Sequence, residues 1–213
     1  MSDAPRVVLA SESPRRREIL AQVLSDFAVI PSGVDEESVE GVAPSDTASR
    51  TALAKAEEVA RRLDEGLVLA ADTVIDLEGT LLGKPCDTKH AFEILRRLRG
   101  VRHRVLTALV VRDVRHGVRI GSVVSTAVDM APFTDREILD YIATGEPMDK
   151  AGAYAIQGLG GALVAGIEGC YSNVVGLPVC ETAALLLRIA PGLSLKSSEC
   201  RGPSGRLCPR QGG

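Results

Sequence analysis

The sequence predicts an α/β domain built on a mixed sheet, and three observations carry that expectation. Leu67-Val68-Leu69-Ala70-Ala71 is apolar at every position, as a central strand covered on both faces must be. Ala48, Ala52, Ala56, Val59 and Ala60 recur at helical spacing and define a small-residue face on one long helix. Strands and helices alternate at first and then give way to a hairpin and further strands, an order that builds a mixed sheet flanked by helices.

Arg6-Val7-Val8-Leu9-Ala10 reads as a buried first strand, short and rich in β-branched residues. Ser13 is a good N-cap and Pro14 suits the first helical position, so a helix should run through Arg15–Leu24. Phe27-Ala28-Val29-Ile30 is the next strand, and Pro31–Glu37 a loop. The long helix opens at Pro44-Ser45-Asp46 and ends near Leu63. After the central strand, Val74–Leu77 and Thr80–Leu82 flank Glu78-Gly79 as a hairpin. Thr88–Leu98 carries Ala91, Ile94, Leu95 and Leu98 on one helical face. Strands are expected over Arg102–Arg112 and Arg119–Met130, with a turn at His116-Gly117. Thr134 caps a short helix that Gly145 stops. Ala151–Val164 is glycine-rich, Ser172–Pro178 reads as a loop, and Val179–Ile189 is the last helix. From Pro191 the composition turns to Ser, Gly, Pro, Arg and isolated Cys. One domain over 1–190, followed by a poorly ordered tail over 191–213, is the expected organisation.

Composition narrows the function classes. A net charge of −3 argues against a nucleic-acid polymer as partner, since such binding relies on a basic surface. With three Tyr, three Phe and no Trp, stacking along a single strand is also disfavoured. No apolar run approaches the ~20 residues needed to cross a bilayer, and the start of the chain lacks a signal peptide's apolar core, so a cytoplasmic protein is expected. The five cysteines form no CxxC pair and fit reduced thiols better than a zinc site or a disulfide framework.

Four segments could carry chemistry. Ser11-Glu12-Ser13-Pro14-Arg15-Arg16 puts arginines at a helix start, where unpaired N–H groups suit phosphate; the bland reading is a solvated basic turn. Asp72-Thr73, read as following the central strand, could orient water or hold a metal, or could simply start a turn. Of the five lysines, Lys84 is the most constrained because Pro85 limits its backbone; Lys55 and Lys150 could equally be surface charges. The stretch 149–161 has neither the third Gly of a dinucleotide fingerprint nor the GKS/T of a P-loop. Gln157 within it can donate and accept at once, as reading a base edge requires, while the glycines by themselves fit a tight strand–turn–strand.

Taken in order, these segments closely resemble the Maf family of nucleotide pyrophosphatases. The matching pieces are Leu9-Ala10-Ser11-x-Ser13-Pro14-Arg15-Arg16, Asp35-Glu36, Ala52-x-x-Lys55-Ala56, Ala71-Asp72-Thr73-Val74, Lys84-Pro85, His103-x-Val105-x-Thr107, the run Gly145–Gly158 and Asn173–Pro178. The resemblance implies an inosine triphosphatase-like fold with a central cleft and a nucleoside triphosphate as substrate. It implies hydrolysis between the α- and β-phosphates with a divalent cation, Mg²⁺ or Mn²⁺, and a homodimer. It implies Asp72 as general base and as metal ligand with Glu36, and substrate choice at Arg15, Thr73 and Gln157. Ser11, Arg16, Lys55 and Lys84 complete the implied substrate-binding set. An Asp-Thr pair is similar to the subgroup acting on dTTP and UTP; an Asp-Gln pair would indicate 7-methyl-GTP. The alternatives are another modified-nucleotide pyrophosphatase, or a nucleotide-binding regulator of septum formation. Glu12 and Ala162-Leu163 depart from the family's usual pattern.

Overall fold

The computed structural model describes residues 5–35, 42–202 and 208. Among them a seven-stranded mixed sheet has the order β2-β1-β3-β5-β6-β7, with β4 (Thr80–Leu82) paired to β3 outside that path. Strands β1 (Val7–Leu9), β2 (Ala28–Val29) and β3 (Leu67–Leu77) run parallel at one end. From β3 onward the sheet is antiparallel through β5 (Arg102–Asp113), β6 (Arg119–Met130) and β7 (Val164–Glu168). Helix α1 (Pro14–Val23) links β1 to β2, and α2 (Pro44–Ala60) leads into β3. Helices α3 (Thr88–Leu98), α4 (Asp135–Ala143), α5 (Tyr171–Val175) and α6 (Val179–Ile189) complete the layers. No helix among the described residues is long and apolar enough to cross a membrane.

One face of the sheet belongs to α2. Ala48, Ala52, Ala56 and Val59 are buried against Val8, Ala10, Val68, Ala70, Val74 and Leu106. The short side chains let the helix backbone approach the sheet closely, so α2's polar residues Thr47, Thr51 and Lys55 are also buried. The opposite face is split between two clusters. Leu9, Leu20, Leu69, Leu177 and Leu186 pack with α1 and α6 at one end, and Ile94, Leu98, Ile138 and Tyr154 pack with α3 and α4 at the other. Capping follows the sequence signals: Ser13 accepts from the Arg16 amide, and Thr134 forms a reciprocal capping box with Glu137.

The central strand differs from its sequence reading in a way that matters for function. Asp72 does not follow the strand but lies inside it, because β3 runs unbroken to Leu77 before the Glu78-Gly79 turn. The alternation of a strand lets one polar side chain sit in an otherwise apolar run, provided something receives it. What opens space beside Asp72 is the neighbour: β1 pairs only with Leu67–Leu69 and β4 only with Ile75–Leu77. Among the described residues, 70–74 thus have a strand partner on the β5 side alone, and the sheet is notched on the other side. The cleft occupies that notch.

Three other segments depart from expectation. The stretch 149–161, whose glycines fitted a strand–turn–strand, instead runs through three short 3₁₀ segments, Glu146–Asp149, Ala151–Ala153 and Leu159–Leu163, and Asp149, Lys150 and Gln157 line the cleft. Ser172–Val175, read as loop, lies within the one-and-a-half-turn helix α5, and β7 was not anticipated. Pro191–Gly202, read as the start of a poorly ordered tail, lies along the body: the Lys196 amide donates to the Val23 carbonyl, and Cys200 is buried.

His103 on β5 is buried and its Nε2 lies 2.8 Å from the Tyr154 hydroxyl. Burial pushes its imidazole down to about 4, only partly opposed by the charge of Asp129. The folded state therefore holds fewer protons than the unfolded chain between about pH 6.5 and 4, and stability falls as pH drops through that window. The expected loss is about 3 kcal/mol by pH 4. Urea unfolding at pH 7 and 4.5 checks this: His103→Asn should lose less stability on acidification than the wild type, and equal losses would rule the histidine out as the cause.

Candidate active site

The cleft has a volume of about 590 Å³ and adjoins a second chamber of about 620 Å³; Glu12, Val34, Asp35, Thr73, Lys84 and Ala151 border both. Its size suits a small ligand held on several sides. Ser11, Arg15, Arg16, Lys55, Lys84, Thr73 and Gln157 all line it, so the structure brings together seven residues spread over 147 positions of sequence. Asp72 faces the second chamber beside Thr47 and Thr51. Glu36 lies outside the described residues.

Lys55 reaches from the alanine-lined face of α2 to Asp72, with Nζ 2.8 Å from Oδ1. Each residue is only 5% exposed, so removing one partner takes an opposite charge away from the other at a buried position. Such a pair fixes the carboxylate's position on the cleft wall.

Arg16 organises the other side of β3. Its Nε donates to the Gly176 carbonyl at 2.9 Å, Nη1 to Ser11 Oγ at 3.3 Å and Nη2 to Thr73 Oγ1 at 3.1 Å. Thr73 Oγ1 lies 2.9 Å from Thr107 Oγ1, and Thr107 donates to the Asn173 carbonyl. Counting protons sets the direction: Arg16 gives to Thr73, Thr73 to Thr107, and Thr107 to Asn173. Asn173 is itself fully buried and donates to the Val105 carbonyl and to Thr126 Oγ1. This relay ties β3, β5, β6 and α5 together across the floor of the cleft. Gly176, at φ +122, receives Arg16 where a residue with a side chain would be strained.

Arg15 is half-buried on the rim; the Asp149 carboxyl is held below its usual range first by its hydrogen bond from Lys150, and the Arg15 charge helps hold it and Glu146 there. For Glu146, burial works against that shift and the Gly160 and Leu159 amides favour it. Glu146 accepts from those amides at 3.1 and 3.0 Å and from the Tyr141 hydroxyl at 2.9 Å, pinning the loop that presents exposed Gln157. A Cβ at Gly158 would lie 2.4 Å from the Glu146 carboxylate, so a side chain there would displace that carboxylate from its place. The facing loop is tied in as well: the Gly152 amide donates to the Gly83 carbonyl, next to Lys84, and Ala153 takes a positive φ of 58° to close the turn.

Glu146, Thr107 and Asn173 belonged to the matched segments but received no role from sequence, because their partners lie far away along the chain. Glu12, a departure from the family pattern, lines the second chamber together with Asp35 and Asp72. Among the described residues those three carboxylates do not gather into a ready-made metal cluster. They fit a cation such as Mg²⁺, which takes one or two carboxylates and completes its shell with water and phosphate oxygens.

A family profile described as "Maf-like protein" matches residues 6–189. Curated relatives named dTTP/UTP pyrophosphatase include one from Anaeromyxobacter dehalogenans (strain 2CP-1), 52% identical over 187 residues that span 87% of this chain and 94% of that one. Another, from Geobacter sulfurreducens, is 46% identical over 184 residues, spanning 86% of this chain and 96% of that one. Among solved structures, the Staphylococcus aureus Ham1 protein overlaps 60% of this chain and 72% of its own at 16% identity, with a TM-score of 0.44.

Proposed function

The chain belongs to the Maf family, and on that footing we propose that it is a nucleoside triphosphate pyrophosphatase that converts dTTP and UTP to the monophosphate and pyrophosphate. The observation that carries the reading is the Lys55–Asp72 pair: a buried, rigidly held carboxylate on the wall of a cleft rimmed by Arg15 and Lys84. Relatives such as those from Anaeromyxobacter and Geobacter bear the same activity in their names.

In this reading the triphosphate lies across the amino end of α1, where Ser13 caps the helix and the first-turn amides point outward. Arg15 and Lys84 neutralise the phosphates, and the Arg16 fork keeps Ser11 and Thr73 in place beneath them. Asp72 orients a water in line with the α-phosphorus and takes its proton. The water oxygen bonds to phosphorus, the bridging bond to the β-phosphate breaks, and pyrophosphate leaves. Glu12, Asp35 and Asp72 would hold the divalent cation, Mg²⁺ or Mn²⁺, with Glu36 as a further candidate; its chemistry is to offset charge on the phosphoryl oxygens.

Gln157 on the rim supplies a donor and an acceptor for a pyrimidine edge. Thr73 acts on substrate choice by holding Arg16 and by leaving room: a longer side chain there would have to extend past the hydroxyl relay into the cleft. The substrates are components of the cytoplasmic nucleotide pool, which is where this activity places the protein.

A panel of standard and modified triphosphates with Mg²⁺, scored by pyrophosphate release, tests the proposal. The expected outcome is a kcat/KM for dTTP and UTP at least about tenfold above that for purine triphosphates and 7-methyl-GTP, a margin of about 1.4 kcal/mol in transition-state binding. Turnover of purines alone would overturn the substrate, and tight binding without product would overturn the enzyme.

A further inference from the structure

We propose that Cys170, Cys200 and Cys208 form a thiolate site for a soft divalent metal ion, zinc by preference, which fastens the C-terminal segment to the floor of the domain. The three sulfurs lie within 4.8 Å of one another, and Cys170 Sγ is 3.7 Å from Cys200 Sγ. Zinc binds thiolates at about 2.3 Å in tetrahedral array, which sets neighbouring sulfurs about 3.8 Å apart. A disulfide would require about 2.05 Å and would use two sulfurs of the three. Convergence of a third sulfur is what a metal site explains and a disulfide does not.

The surroundings suit the assignment. Ser172 Oγ lies 3.2 Å from Cys170 Sγ and 3.0 Å from Cys200 Sγ, and it accepts the Val179 amide at 3.0 Å. Its hydroxyl proton can therefore be given to a thiolate, the outer-shell donor that metal-bound sulfur commonly has. The Cys208 amide donates to the Cys200 carbonyl at 2.8 Å, which closes the pair into one corner. The protein then offers three ligands, and water completes the fourth position.

This site would not compete with the cleft for metal. Thiolates select zinc and disfavour Mg²⁺, whereas carboxylates and phosphates do the reverse. Nor does it depend on the pyrophosphatase reading. Its structural consequence lies in Cys170, which immediately precedes α5; the carbonyls of Asn173 within that helix and of Gly176 just after it receive Thr107 and Arg16.

The test uses the full chain, reduced and stripped of metal, titrated with Zn²⁺ alone against a chromogenic chelator and with Co²⁺ alone by absorption. Roughly one equivalent of Zn²⁺ is expected, with sulfur-to-cobalt charge-transfer bands in the Co²⁺ adduct. Cys200→Ser and Cys208→Ser should each weaken Zn²⁺ binding by at least about tenfold, while Cys86→Ser, remote and exposed, should not. The wild-type cobalt spectrum is informative whether or not a variant folds. A Co²⁺ adduct without charge transfer, equal weakening by Cys86→Ser, or a Cys170–Cys200 disulfide that survives mild reductant would each overturn the site.

Discussion

Asp72→Asn is expected to lower turnover of dTTP at least about a thousandfold, because the amide can neither take the proton of the attacking water nor bind a cation as a carboxylate does. The change is nearly isosteric, and the amide oxygen can still accept from Lys55. It removes the Asp72 charge from beside Lys55 at a buried position, however, so some loss of stability is expected alongside. The double variant Asp72→Asn/Lys55→Met separates the two effects. Both charges are then gone, stability should recover towards wild type, and turnover should stay low. Single-turnover product formation and urea unfolding measured on all three chains decide the matter. Near-wild-type rates in Asp72→Asn would remove the general base from the mechanism.

The second large effect is expected from Arg16→Lys. Three nitrogens of one planar group bond to Gly176, Ser11 and Thr73, and a single ammonium cannot span those directions. The variant should lose about 2–3 kcal/mol of stability, from acceptors left unpaired at a buried position. Its kcat/KM should fall at least about a hundredfold, since the first turn of α1 and Thr73 lose their common anchor. The loss should fall on kcat as well as KM, and a variant that folds less stably but turns over normally would confine Arg16 to a structural part.

Much of this site was legible because the residues that signal it are local. Ser13-Pro14 announces a helix start, and arginines in that first turn made an anion site one of two readings, beside a solvated basic turn. Asp72, by contrast, was ambiguous on local grounds: an acid after an apolar run looks like a turn. Its place inside a continuous strand depends on Lys55, seventeen residues earlier, and on β1 being too short to cover the notch. Glu146 makes its contacts thirteen and fourteen residues away in a segment whose glycines suggested a simple turn. The hydroxyl relay through Thr73, Thr107 and Asn173 crosses separations of 34 and 66 residues, which no spacing rule addresses. The thiol corner was hidden for the same reason: Cys170 and Cys200 stand thirty residues apart, and spacing patterns such as CxxC register only near neighbours.

Asp72 and Thr73 are adjacent in sequence yet point to opposite faces of β3, one to the alanine helix and Lys55, the other to Arg16 and the relay. In the proposed mechanism the strand thus acts as a two-sided rail, delivering water activation to one side of the notch and substrate choice to the other. Under the proposed roles, residue 73 can be exchanged over evolutionary time to retune which base is accepted, with the Lys55–Asp72 pair undisturbed behind it. The same arrangement makes the site intolerant of length change. A one-residue insertion between β1's partners and Asp72 would turn the acid towards Arg16 and bury an apolar neighbour against Lys55, disabling both sides at once.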